Sequence, residues 1–126
     1  MDIIISNANN IPIYEQIYKQ IKDSIISSKL TEGEALPSIR ALAKELRVSV
    51  ITTKRAYDEL EKEGYINTVP GKGSYVAKKN LEIIKEDSLK KIENHMQAII
   101  ELSSHCGLDD KEIIEMFKVM QEECKL

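Results

Sequence analysis

The distribution of proline and glycine constrains this chain more than any other feature. All three prolines (Pro12, Pro37, Pro70) and four of the five glycines lie before residue 80. Proline lacks an amide hydrogen and glycine lacks side-chain constraint, so each punctuates regular structure. The first 80 residues must therefore be cut into short elements. The 46 residues that follow contain no proline and one glycine, Gly107, and read as nearly uninterrupted helix broken once. The boundary is placed near Lys78-Lys79-Asn80, giving a domain over 1–79 and a helical tail over 80–126.

Charge divides at the same place. The chain has 126 residues and a net charge of −3, which taken whole argues against a nucleic-acid partner. The first 80 residues carry +2, however, and the remainder −5. Apolar residues make up 42% of the chain, so it is not of disordered composition, and with no Trp and one Phe its core must be aliphatic and tyrosine-rich. No apolar run approaches the roughly 18 residues that span a bilayer, Ile3-Ile4-Ile5 being the longest early one. The beginning lacks the basic and apolar regions of an export signal, so the expected setting is cytoplasmic, with no membrane partner and with Cys106 and Cys124 reduced.

In the first part a helix is expected from about Pro12, with Ile13, Ile17, Ile21 and Ile25 recurring every four residues and Tyr14 and Tyr18 on a neighbouring strip. Lys29 to Leu36 reads as a turn. Ser38 is placed to cap a short second helix that buries Ile39, Leu42, Ala43 and Leu46. After a break at Arg47-Val48, Ser49 caps a third helix that runs to Glu63, is stopped by Gly64, and turns Ala56, Tyr57 and Leu60 inward. Tyr65–Val69 and Ser74–Ala77 read as strands joined by the turn Pro70-Gly71-Lys72-Gly73.

The tail is expected as a helix from about Leu81 to Ser104. Leu89, Ile92, Met96 and Ile99 follow the 3-4-3 spacing of a helix–helix seam. Asp109 and Glu112 then form a capping box, flanked by Leu108 and Ile113 as a hydrophobic staple. A last helix is expected to bury Ile113, Phe117, Met120 and Cys124. A two-helix appendage has little core of its own, so these stripes point to a homodimer interface at Leu89, Ile92, Met96, Ile99, Ile113, Phe117 and Met120. The fold class is mainly α with a small β-hairpin: a winged helix-turn-helix domain followed by a two-helix dimerisation hairpin.

Helix, turn, helix and hairpin in that order suit double-stranded DNA. The second short helix fits a major groove, and the hairpin reaches along the backbone beside it. Ser49, Thr52, Thr53 and Lys54 supply donors at the start of that helix, and its first amides favour a phosphate. From Ser38 to Tyr57 the balance is +4, through Arg40, Lys44, Arg47, Lys54 and Arg55 against Glu45. The acids Asp58, Glu59, Glu61 and Glu63 come in later turns, expected to point away from the groove.

Blocks of residues along this stretch also resemble a known family. Ile13-Tyr14-Glu15-Gln16-Ile17, Leu36-Pro37-Ser38-Ile39-Arg40-Ala41-Leu42-Ala43, Val48-Ser49, the run from Ala56 to Ile66, and Gly71-Lys72-Gly73-Ser74-Tyr75-Val76 resemble the N-terminal domain of GntR-family bacterial transcription regulators. The short tail is similar to that of the YtrA-like branch. The resemblance implies a homodimeric, DNA-binding regulator with a two-helix dimerisation tail. It implies DNA contacts at Arg40, Ser49, Val50, Ile51, Thr52, Lys54 and Gly71, with Gly71-Lys72-Gly73 as the wing tip. With Ser38, Thr53 and Arg55 from the reading of caps, donors and charge, the expected DNA-binding set is Ser38, Arg40, Ser49, Val50, Ile51, Thr52, Thr53, Lys54, Arg55, Gly71, Lys72 and Gly73. Relatives commonly carry Arg, Pro, Asn or Thr where this chain has Val50 and Ile51. These two aliphatics cannot donate hydrogen bonds; they could meet thymine methyl groups or pack partly inward.

Other chemistry finds little support. His95, His105, Cys106 and Cys124 contain no Cys-x-x-Cys or His-x-x-x-His pair, and a structural zinc needs four ligands, so neither metal nor cofactor is expected. Gly71-Lys72-Gly73-Ser74 lacks the spacing of a phosphate-binding loop and precedes a strand rather than a helix. No polar catalytic cluster is visible, so the chain is not read as an enzyme. The expected function is repression through an inverted-repeat operator. Control comes either from a small-molecule effector, bound between the tail helices or near Asn80, or from a partner protein or the protein's own level.

Overall fold

The computed structural model describes residues 1–8 and 10–124. The chain divides into two compact units, Met1–Leu81 and Glu82–Leu126.

In the first unit the elements run α1 (Ile13–Ile26), α2 (Ile39–Leu46), α3 (Val50–Lys62), β1 (Ile66–Val69) and β2 (Gly73–Val76). The four-residue isoleucine repeat produces the inward face of α1: Ile17, Ile21 and Ile25 are buried. With Leu42 and Ala43 of α2, Ala56, Tyr57 and Leu60 of α3, and Ile66 and Val76 of the hairpin they make up the buried core, in which α3 packs against α1, α2 and β1. Ile13, Ile39 and Leu46 are half-buried. β1 and β2 pair antiparallel, with Ile66 opposite Val76 and Val69 opposite Gly73.

The turn expected between Lys29 and Leu36 does more than reverse the chain. Ala35 forms an antiparallel bridge with Tyr75, and the amide of Leu36 donates to Ser74 O at 2.9 Å. The amide of Val76 donates to Glu34 O at 2.9 Å. The hairpin thus has a third, very short strand-like neighbour, too brief for an alternating pattern to reveal.

Two further devices close the unit. Gln16 and Gln20, one turn apart on α1, clasp the chain start as a strand would. The Gln20 side chain accepts from Ile4 N–H at 2.9 Å and donates to Ile4 O at 2.8 Å. Gln16 does the same with Ser6, at 2.8 and 2.9 Å. At the other end Lys79 Nζ donates to Ile26 O at 3.0 Å, where a cation suits a helix C-terminus.

The second unit contains α4 (Leu81–Cys106, beginning one residue before it) and α5 (Asp110–Glu123). Leu108 N–H donates to Ser103 O, closing α4 past Gly107. Asp109 and Glu112 form the expected reciprocal capping box. The expectation of burial is not met within the chain. Neither helix has a fully buried residue, and Phe117 is 62% exposed. Met120 and Cys124 are exposed as well, and Ile113 is half-buried. Two helices alone cannot enclose one another, so each keeps apolar surface that the other does not cover. A groove of about 470 Å³ runs between them, lined by Met96, Ile99, Ile100, Ile113, Ile114 and Phe117.

Candidate nucleic-acid interface

The helix-turn-helix is set by local capping. Ser38 Oγ accepts from the amide of Ala41 at 3.0 Å and starts α2. Arg47 ends it in the left-handed conformation, φ +58°, and Val48 N–H returns to Ala43 O at 3.0 Å. Ser49 Oγ then accepts from the amide of Thr52 at 3.1 Å and starts α3. The Tyr57 hydroxyl donates to Pro37 O at 2.7 Å, fastening α3 to the entry of α2. Burial pushes that phenol from the ordinary 10.0 up to about 12.

Successive residues of a helix step about 100° around its axis. Because Ala56, Tyr57 and Leu60 face the core, Thr53 faces it too, and it is fully buried. Its hydroxyl donates to Ser49 O at 3.2 Å. Thr53 is therefore not a groove-facing donor, contrary to expectation: position 53 precedes Ala56 by three residues and Tyr57 by four, and so shares their face. The opposite strip carries Ile51, Lys54, Arg55 and Asp58, all exposed. Val50 is exposed beside them, and Ile51 at 81% does not pack inward.

The cations on this strip are held in place. The guanidinium carbon of Arg55 lies 3.8 Å from the ring centroid of Tyr14 on α1. Lys54 Nζ lies 2.7 Å from an Asp58 carboxylate oxygen, with both side chains more than half exposed. Asp58 consequently does not turn away as expected. At i+4 it sits directly above Lys54 on the same strip. Of the other acids, Glu63 accepts from the Tyr18 hydroxyl on the α1 side.

Ser49 donates to Thr52 Oγ1 at 2.7 Å, which uses the Ser49 proton and leaves the Thr52 proton to donate. On α2, Ser38 and Arg40 are exposed. In the hairpin, Lys72 N–H donates to Val69 O at 2.9 Å across Pro70-Gly71, with Gly71 at φ +78°, the residue order of a type II turn. Gly73 follows at φ +115°, so both wing glycines occupy conformations that side chains resist. Lys72 is exposed at this tip, and the Tyr75 hydroxyl donates to its carbonyl.

Reading the sequence alone missed two participants, Tyr14 and the partnership of Asp58. The second had a signal in the four-residue spacing from Lys54; the first depends on how α1 packs against α3. Among the described residues no group of three or more His, Cys, Asp or Glu is placed to hold a metal ion. No helix among them is long and apolar enough to cross a membrane.

Two short helices joined by a tight turn, the second bearing hydroxyls and cations at its start and followed by a hairpin with a basic tip, define a winged helix-turn-helix DNA-binding protein. The chain belongs to the family described as bacterial regulatory proteins, gntR family, whose model matches residues 13–76. It is a DNA-binding transcription regulator. It is similar to the HTH-type transcriptional repressor YtrA of Bacillus subtilis (strain 168), 30% identical over 98% of this chain and 95% of that one. Among solved structures it is similar to a transcriptional regulator from Oenococcus oeni, with TM-score 0.79, 25% identity and coverage of 93% of this chain and 97% of that one. It is also similar to YtrA from Sulfolobus acidocaldarius, a GntR-family transcription factor, with TM-score 0.63, 34% identity and coverage of 76% and 97%.

Proposed function

We propose that the chain is a cytoplasmic, homodimeric repressor that sets α3 of each subunit in a major groove of an inverted-repeat operator. The observation that carries this is the outward strip of α3, where Arg55 and Lys54 stand beyond the Ser49 cap with the Lys72 wing tip in the same unit. Ser38, Arg40 and Thr52 serve as phosphate and base partners, Ser49 orients the Thr52 hydroxyl, and the bare backbone at Gly71 and Gly73 allows close approach to a sugar–phosphate chain. The name of the B. subtilis relative supports repression rather than activation.

Dimerisation is supported by the second unit. Among the described residues of that unit none has a buried side chain, so it does not supply its own core, and a second copy supplies the missing surface to Leu89, Ile92, Met96, Ile99, Phe117 and Met120. A two-fold dimer reads half-sites separated by one or more helical turns, roughly 34 Å each. The test is sedimentation alongside footprinting of the DNA upstream of the chain's own coding sequence. A dimer protecting an inverted repeat is expected, with Phe117→Glu giving a monomer that protects it poorly. A monomer with unchanged protection would refute the arrangement.

For control, a small effector is supported by a pocket of about 370 Å³ within the first unit, lined mainly by Ile25, Leu30, Val76, Ala77 and Leu81 with Lys78 and Lys79. The rival account has no effector and relies on a partner protein or on protein level. Calorimetry with candidate metabolites, read together with operator affinity, separates the two.

A further inference from the structure

We infer that Ile51, with Val50 beside it, reads the methyl group of thymine, so that each DNA half-site selected by this chain contains thymine beneath the start of α3. The inference rests on the proposed docking of α3 in the major groove.

Ile51 is the most exposed large hydrophobic residue among those described, at 81%, and Val50 is exposed at 47%. Ile51 lies two residues from the fully buried Thr53, about 200° around the helix, and so points directly away from the core. It therefore contributes nothing to packing within the first unit. It stands in the first turn of α3, the part of a recognition helix that approaches base edges.

An aliphatic side chain has no donor or acceptor, so it cannot discriminate bases by hydrogen bonding. In the major groove the one apolar feature a base pair presents is the C5 methyl of thymine. The surroundings match this occupant. Lys54 and Arg55 follow Ile51 on the same exposed strip, giving an apolar tip flanked by cations. A groove has the complementary arrangement, with phosphate walls on either side of a floor that carries methyl groups. A protein partner fits less well. Protein interfaces place apolar surface at a charge-poor centre. Here the apolar patch is two residues wide and is bordered by Lys54, Arg55 and Asp58.

The test begins by selecting duplexes from a random-sequence pool with the full chain. Each thymidine of the enriched site is then replaced singly by deoxyuridine, which removes the methyl and preserves base pairing. At one or two positions per half-site the affinity should fall about three- to four-fold, the value of one buried methyl. Ile51→Ala, or Val50→Ala at the neighbouring base, should abolish that sensitivity while leaving secondary structure and thermal unfolding unchanged. Enrichment of a site at which deoxyuridine is tolerated everywhere overturns the inference and leaves DNA binding standing. Deoxyuridine sensitivity that persists in both alanine variants also overturns it, since another group then reads the methyl. Failure to enrich any sequence removes both the inference and the docking on which it rests.

Discussion

The guanidinium of Arg55 stacks on the ring of Tyr14, with its central carbon 3.8 Å from the ring centroid. The contact joins the first turn of α1 to the exposed strip of α3. Stacking occupies the face of the guanidinium and leaves its in-plane N–H groups available to a phosphate. It also orders a long side chain before DNA arrives, which lowers the entropy lost on binding.

Tyr14→Leu should weaken DNA binding by about two- to five-fold, the equivalent of an exposed cation–π contact. Tyr14→Phe should retain near wild-type affinity because the ring remains. Fluorescence anisotropy on both variants and on Arg55→Gln checks this. In the double variant of Tyr14→Leu and Arg55→Gln, the losses should not add. Additive losses would show that the two residues act separately.

The pairing of Lys54 with Asp58 makes an opposite prediction for the acid. An exposed pair of this kind contributes little to stability, on the order of 0.5 kcal/mol. Near a phosphate, however, the Asp58 charge opposes binding. Asp58→Asn should therefore raise DNA affinity, most clearly at low salt, with little change in thermal unfolding. Lys54→Ala should lower affinity and reduce the salt dependence by about one released counterion. Titrations at several salt concentrations test both.

Tyr57 sets an alkaline limit on stability. Its phenol titrates at about 12 in the folded chain against 10.0 ordinarily, because burial disfavours the anion. Between those values the unfolded chain has lost a proton that the folded chain still holds, so rising pH favours unfolding. The stabilisation is intact below pH 10 and is lost towards pH 12, by no more than about 2–3 kcal/mol. Urea unfolding across this range should show a shallower decline for Tyr57→Phe. That variant should start about 1 kcal/mol lower because Pro37 O loses its donor. Parallel curves would mean that other groups govern the alkaline transition.

Arg47 occupies a left-handed conformation, φ +58°, in the turn between α2 and α3. Glycine adopts this conformation without the Cβ penalty, although it also loosens the unfolded chain. Arg47→Gly should raise the unfolding free energy by up to about 1 kcal/mol, measured by denaturant titration. A fall in stability would show that the Arg47 side chain contributes more than its backbone costs.

What the sequence made legible were features fixed within a few residues. The caps at Ser38 and Ser49 and the Asp109–Glu112 box follow from side chains that reach the backbone two or three positions on. The core face of α1 follows from its isoleucine repeat. The phase of α3 was legible as well, and applying it to Thr53 would have removed that residue from the DNA-facing set. The Tyr14–Arg55 stack and the Ala35–Tyr75 bridge join segments 41 and 40 residues apart, and no local pattern encodes them. Phe117 and Met120, expected to be buried, are exposed in the chain, because helical spacing marks an apolar stripe without saying what covers it.

The Ala35–Tyr75 bridge has a consequence for how DNA is measured. A lone two-stranded hairpin is marginal in water and would sample many directions. Here the wing is stitched to the chain just ahead of α2, so the span from the α2 entry to the Lys72 tip behaves as a fixed gauge. Under the docking proposed above, that gauge sets one distance from groove to backbone, and duplexes whose groove matches it are the ones the protein would favour.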